Sequence, residues 1–309
     1  MPEDLQEIRL SLIELKTLPA VIYYFTLPFI YLLSVLPFPL LYLLSDIVYY
    51  LLYYVMGYRK QVVMQNLRNS FPEKSEKEIL SLSRQFYRYF CDLLLETFKT
   101  LSISPKTMLK HCWLDTESLN LFHQLAAENQ SIMVVMGHQG NWEWAGNSFS
   151  LCGEHQLYVI YHPLSNKYFN RLVYKMRTRF GTRLIAMKDT MRDMLNNRSH
   201  LSATAFIADQ TPLPDRAYWM NFLNQDTPVF LGIEKIALKI QYPVIYVSIK
   251  RVKRGYYGMH AERIELPSQS DNRLGTLTEL HTGKLEADIR KQPETWLWTH
   301  RRWKHKRLS

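Results

Sequence analysis

Two kinds of apolar patterning divide the chain. From Leu18 to Met56 apolar and aromatic residues follow one another almost without interruption, and Asp46 is the only charge. After Gly57 the pattern becomes periodic. "RKQVVMQNLRNSFPEKS" predicts a short helix ending before Pro72. In "SEKEILSLSRQFYRYFCDLLLETFKTL" Ser75 and Glu78 form a capping box that opens a long helix. "SLNLFHQLAAENQ" predicts another helix. Five apolar runs then read as strands: "SIMVVMG", "LYVIYH", "TRLIAM", "SATAFIAD" and "PVIYVSIKRV". The stretches "NKYFNRLVYKMRTRF", "DTMRDMLNNR" and "FLGIEKIALKIQ" between them have helical spacing, and "YYGMHAERIEL" reads as a late strand pairing with its predecessor. Such alternation predicts an α/β fold, a sheet flanked by helices.

The first pattern raises a membrane question. Leu18 to Leu36 as a helix is about 28 Å long, close to the thickness of the hydrocarbon core, so it is expected to span. Pro28 kinks such a helix without forbidding it. After the break at Pro37 to Pro39, the stretch Leu40 to Met56 is shorter, rich in tyrosine and interrupted by Asp46. It reads as an interfacial helix or one docked on the protein. The rival reading is a buried hairpin of a soluble protein. The acidic opening argues against a cleaved signal peptide. Arg59, Lys60 and Arg68 follow the apolar stretch, whereas Glu3, Asp4, Glu7 and Glu14 precede it. The positive-inside bias then places everything after residue 58 in the cytoplasm. The expected organisation is a membrane anchor over 1–57, with a transmembrane helix at about 18–36 and a docked helix at about 40–56, and a cytoplasmic domain over 58–309.

Composition narrows the partners. Lys and Arg number 38 against 28 Asp and Glu, and the pI is near 9.3, so an anionic partner is expected. Nucleic acid is the alternative that charge alone suggests, as a membrane-attached binding or adaptor protein. No recognition helix, RNP-type strand or zinc pattern supports it. Cys91, Cys112 and Cys152 are odd in number and far apart, which fits a reducing compartment rather than a disulfide framework.

Four histidines have a glutamate five places on: His123/Glu128, His138/Glu143, His260/Glu265 and His281/Glu286. Five residues along a helix turn side chains about 140° apart, which removes His123/Glu128. An odd separation on a strand puts them on opposite faces, which removes His260/Glu265. His281/Glu286 has Gly283 between its members and no adjacent apolar strand. His138 is different, because an apolar strand delivers it to the carboxyl end of a sheet, where open α/β folds place ligands. "QGN" turns the chain, Asn141 is a plausible N-cap, and Glu143 falls in the first helical turn. The bland alternative is a strand-end histidine beside a glutamate that complements the helix dipole.

At these residues "GHQGNWEWAG" resembles the His-x4-Asp/Glu block of the bacterial lipid A biosynthesis (late, or secondary) acyltransferase family. "RKQVVMQNLRNSFPE", "VIYHPLSN", "ADQTP", "WMNFLNQDTPVFLG" and "WLWTHRRWK" resemble further family segments in the same order, from about residue 19 to 304. The resemblance implies a mixed sheet flanked by helices, of the glycerolipid acyltransferase-like kind. It implies transfer of a fatty acyl chain from acyl carrier protein to a hydroxyl of an acylated lipid A precursor, at the cytoplasmic face of a bacterial inner membrane. Another glycolipid or an aminolipid is the alternative acceptor. His138 is then the expected general base, with Glu143 accepting the other ring N–H. Neither a metal nor a redox cofactor is indicated. The backbone amides at Gly140 and Asn141 are candidates for an oxyanion hole. Asp209 is expected to orient the basic helix or the acceptor, or else to cap a strand end. His162 stands where the family carries an arginine, and the loop "FLNQDT" is shorter than the family's. Arg171, Lys175, Arg177 and Arg179 are therefore candidates for phosphate or carrier-protein contacts, with a solvated basic face as the alternative. The tail "HRRWKHKR" suits an anionic membrane surface.

Overall fold

The computed structural model describes residues 20–265 and 273–307. Among the described residues two apolar helices come first: α1 (Ala20–Val35) and α2 (Phe38–Tyr50), the latter prolonged by a π-helical turn over Leu51–Val55. The expected spanning helix from Leu18 is thus seen from Ala20, about 24 Å long. The 18-residue stretch Phe38–Val55, by contrast, is apolar and long enough to cross a membrane by length and composition. Leu18 and Pro19 lie outside the described residues. Next come α3 (Lys60–Ser70) and α4 (Glu76–Lys99), the latter opened by the Ser75–Glu78 capping box anticipated from its sequence. A short α5 (Pro105–His111) leads into the sheet domain.

That domain is α/β. Seven strands form one mixed sheet in the order β1-β9-β8-β2-β5-β3-β4. They are β1 (Cys112–Leu114), β2 (Ile132–Met136), β3 (Gln156–Tyr161), β4 (Arg183–Ala186), β5 (Ser202–Ile207), β8 (Val244–Lys253) and β9 (Tyr256–Arg263). Between them lie α6 (Thr116–Ala127), α7 (Trp142–Cys152), α8 (Lys167–Thr178), α9 (Thr190–Asn196), α10 (Gly232–Ile240) and, after β9, α11 (Thr276–Lys291). All five expected strands are present, and β9 pairs antiparallel with β8 as read from its pattern; its foreseen end at Leu266 lies outside the described residues. Sequence reading missed β1 and the separate hairpin β6 (Ala217–Phe222)–β7 (Gln225–Phe230). A three-residue strand carries too little pattern to detect, and Leu223 and Asn224 turn the hairpin with positive φ although neither is glycine.

The strand order positions the site. β5 slots between β2 and β3, all parallel, so the carboxyl ends of three neighbouring strands share one edge. Met136 pairs with Ile207. Two residues further on, each chain reaches the edge with His138 and Asp209.

A buried ionic network fastens α2 and α4 to this domain. Asp92 of α4, nearly inaccessible, binds Arg251 at 2.6 Å, Arg254 at 2.7 Å and the Ser45 hydroxyl at 2.6 Å. One turn along, the fully buried Glu96 accepts hydrogen bonds from Tyr42 at 2.9 Å and from Tyr257 and Asn141 at 2.8 Å. Burial, and then the charge of Asp92, push the Glu96 carboxyl up to about 7, against the pull of its tyrosine donors and Arg251. A carboxyl raised in the folded state contributes stability that is complete below its unfolded value and is lost as pH rises through the folded one. Glu96→Gln should therefore gain on the wild type between about pH 5 and pH 7, on the order of 1 kcal/mol per pH unit. Unfolding midpoints in detergent across that window test this; a constant difference would overturn it.

Candidate functional site

The chain leaves β2 through Gly137, whose missing side chain makes room for Leu285 of α11. Gly140 then turns it with φ of +59°, and an added Cβ there would lie 2.7 Å from the Ile249 carbonyl oxygen. Glycine is required at that point on both counts. Asn141 caps α7: its Oδ1 accepts from the Trp144 amide at 2.9 Å, and its Nδ2 donates to Glu96. The C-terminal segment closes the other side of the loop. The Leu297 amide donates to the His138 carbonyl at 3.2 Å, and the Gly140 amide donates to the Thr295 carbonyl at 3.0 Å.

His138 is held by Asp209, not by Glu143. One Asp209 oxygen lies 2.6 Å from His138 Nδ1, and the other accepts the His138 backbone N–H at 2.8 Å. The Trp296 indole donates to that second oxygen at 2.7 Å. Burial alone would raise the Asp209 carboxyl, but the charge and hydrogen bonds of His138, helped by Trp296, outweigh it and hold the group at about 2. An ionised carboxylate only accepts, so Nδ1 carries the proton, and in the neutral imidazole the lone pair is then at Nε2. Nε2 lies 3.5 Å from the Gln210 side chain, at the edge of a cleft of about 480 Å³.

Glu143 lines the same cleft but answers to Arg177 of α8, with contacts of 2.5 and 2.9 Å. Burial works against its charge, yet Arg177 and, less strongly, His138 keep its pKa below the ordinary carboxylate value. Expected as the imidazole's hydrogen-bond partner, Glu143 is instead the counter-ion of a partly buried arginine. The cleft is otherwise largely apolar: Val159, Ile160, Val173, Leu184, Ile207 and Phe230 line it, which suits a hydrocarbon chain. Larger hollows lie elsewhere, but neither His138 nor Glu143 reaches them.

The remaining candidates separate. His162 is exposed on the cleft wall, with Nδ1 against the Pro163 carbonyl at 3.0 Å. The expected oxyanion amides are corrected: the Gly140 N–H is spent on Thr295, Asn141 is fully buried, and neither lines the cleft. The basic face of α8 is largely committed within the fold. Lys175 donates to the Tyr31 hydroxyl at 2.7 Å, Arg177 holds Glu143, and Arg179 donates to the Thr100 carbonyl. Arg171 is exposed. The other histidines find partners away from their matching glutamates. His260 binds Asp115 at 2.8 Å, and His123 lies 4.0 Å from Glu154. His281 is buried, and burial pushes it down to about 4.

Gln210, Trp296 and Arg302 have no pattern in the sequence that marks them as functional, although each lies within a segment that carries the resemblance. Those segments turn out to hold one another. Asn66 of α3 donates to the Trp298 carbonyl at 3.0 Å, Thr211 to the Arg302 carbonyl at 2.8 Å, and Trp303 to Thr227 at 2.7 Å. Arg302, almost wholly buried, donates to the Pro228 carbonyl at 2.7 Å, and burial lowers its pKa to about 10 against the charge of Asp209.

A mixed sheet, a tautomer-fixed histidine and an apolar cleft at its carboxyl edge are the frame of a lipid-handling transferase, and comparison with known proteins makes the class definite: the chain is an acyltransferase. It belongs to the bacterial lipid A biosynthesis acyltransferase family, whose model matches residues 11–305. It is 22% identical over 293 residues to the lipid A biosynthesis palmitoleoyltransferase of Escherichia coli (strain K12), covering 91% of this chain and 90% of that one. A lipid A biosynthesis acyltransferase of Shigella flexneri matches with the same identity and coverage.

Gly140→Ala should lower stability by roughly 2 kcal/mol or more, since it adds left-handed strain to a backbone clash. It should also depress turnover by displacing the turn that carries His138. Thermal unfolding and an acyl-transfer assay check both, and a wild-type midpoint would sink the packing argument.

Proposed function

We propose that the chain moves a fatty acyl group from acyl carrier protein to a hydroxyl of an acylated lipid A precursor. The observation that carries this reading is the position of His138, with Nδ1 held at 2.6 Å by Asp209 and the ring lining a largely apolar cleft. The acceptor hydroxyl gives its proton to Nε2 as its oxygen attacks the thioester carbonyl. The tetrahedral intermediate collapses by breaking the C–S bond, and the imidazolium returns the proton to the leaving thiolate. The products are an ester and a free thiol, and no acyl-enzyme is needed.

Asp209 fixes the tautomer and stabilises the imidazolium, the work of the carboxylate in a serine-hydrolase triad. Glu143 assists through its field rather than by a hydrogen bond, and it holds Arg177 against the cleft, where a fixed cation can meet a phosphate or a developing oxyanion. Gln210, beside Nε2, is a neutral donor within reach of the same oxygen. The work takes place at the cytoplasmic face of a bacterial inner membrane, where residues 1–57 secure the domain. With His162 in place of the family's arginine, a different glycolipid or an aminolipid is the second reading of the acceptor. Mass spectrometry of lipids from cells with and without the protein separates the two.

His138→Ala should lose roughly 10²–10⁴-fold in turnover, the usual value of general-base assistance. Asp209→Asn should approach the same loss, because an amide can leave the imidazole in the wrong tautomer. Glu143→Gln should lose less than His138→Ala. His123→Ala and His260→Ala are controls and should retain activity. Carrier-protein-dependent acylation of a lipid A precursor in detergent is the assay, and near wild-type turnover by His138→Ala would remove the mechanism.

A further inference from the structure

The inner faces of both N-terminal helices are tied to the domain along their whole length. On α1, Tyr23 and Ile30 are buried against Leu172 and Met176 of α8. Lys99 donates to the Leu36 carbonyl just beyond the helix end at 2.7 Å. On α2, Ser45 binds Asp92, Asp46 binds Arg254 at 2.7 Å, and Tyr49 and Tyr53 are buried. The outer faces carry the reverse character: Phe25 is 71% exposed, Leu32 61%, Leu43 60% and Val55 75%. Where this apolar stripe ends, a hollow of about 910 Å³ opens among Arg59, Lys60, Arg68 and Arg301, with no acidic residue in its lining. Arg68 is paired with Glu76 and Arg59 donates to the Thr299 carbonyl at 3.0 Å, which leaves Lys60 and Arg301 as the lining cations with neither a carboxylate nor a carbonyl partner among the described residues.

From this we infer that α1 and the α2 segment lie flat in the interfacial layer of an anionic bilayer, with neither helix crossing it, and that the basic hollow takes lipid headgroup phosphates at the rim. A crossing helix is surrounded by lipid, so Asp46, Arg254, Asp92 and Lys99, all fixed beside these helices, would have to enter hydrocarbon at considerable cost. Laid flat, the same helices bury only the outer apolar row, some 5–10 Å deep, and keep every ion on the aqueous side. Their many tyrosines suit that depth. An apolar surface of this extent on a free monomer is unusual and marks a contact, and the cations at its end choose an anionic one. The inference deepens the membrane attachment proposed above and rests on that reading only for the partner.

The test reads depth rather than turnover, so its failure is separate from any failure of the acyl-transfer mechanism. Val21→Cys, Phe29→Cys, Ile47→Cys and Val55→Cys in the full chain are each labelled with a fluorophore. They are then quenched by shallow and deep nitroxide lipids in phosphatidylethanolamine–phosphatidylglycerol vesicles. The expected result is one shallow depth for all four. Deep quenching at Phe29 or Ile47, with shallow values at Val21 and Val55, is the signature of a crossing helix and overturns the inference. In a second measurement, the double variant Lys60→Glu/Arg301→Glu should bind phosphatidylglycerol vesicles on the order of 10²-fold more weakly, while binding to phosphatidylcholine vesicles is unchanged. Equal loss on both, or loss on neither, overturns the headgroup site.

Discussion

The contact between Asp209 and His138 is the constraint that organises the site. The carboxylate takes the imidazole with one oxygen and the backbone amide of the same residue with the other, so ring orientation and loop position are set together. Removing Asp209 from water is costly, and that cost is offset first by His138 and then by the Trp296 indole, which donates to the second oxygen. The tryptophan in turn belongs to the segment that pairs with the histidine loop across the Gln139–Trp296 bridge. Three stretches distant in sequence are thereby locked by one carboxylate. Behind them the Asn141–Glu96 contact fixes the other end of the turn.

Much of the fold can be read from residue order, because buried parallel strands are uninterrupted apolar runs and helices advertise their caps. Ser75 and Asn141 both cap as their surroundings suggest. His138 stands out for a physical reason: a strand that consists only of apolar residues has to end somewhere, and a polar group there faces the crevice. Its true partner is invisible at that level. Nothing in "SATAFIAD" says that this strand lies directly beside "SIMVVM", and without that adjacency the equal overhang of His138 and Asp209 has no meaning. The short-range spacing to Glu143 offered a nearer answer that the geometry did not use, since Arg177 from α8 reaches Glu143 across the cleft.

The basic helix teaches the complementary lesson. A row of Arg171, Lys175, Arg177 and Arg179 looks like a docking face when only charge is counted. Packing redistributes it, with Lys175 over the Tyr31 ring, Arg179 onto a carbonyl at the end of α4 and Arg177 into the cleft. Charge counts bound what a surface can attract, but the fold decides which cations reach that surface at all.

The closing role of the Thr295–Trp303 segment has a consequence for the order in which the molecule comes into being. A ribosome delivers α1 and α2 first, the strands next and this segment after all of them. The apolar helices can meet a lipid surface while Trp296 is still unmade, and until it arrives Asp209 lacks its indole donor and the His138 loop its pairing strand. On the proposed membrane attachment and general-base role, the order of synthesis puts attachment ahead of competence: the lipid-facing helices exist before the base that would act on the lipid is complete.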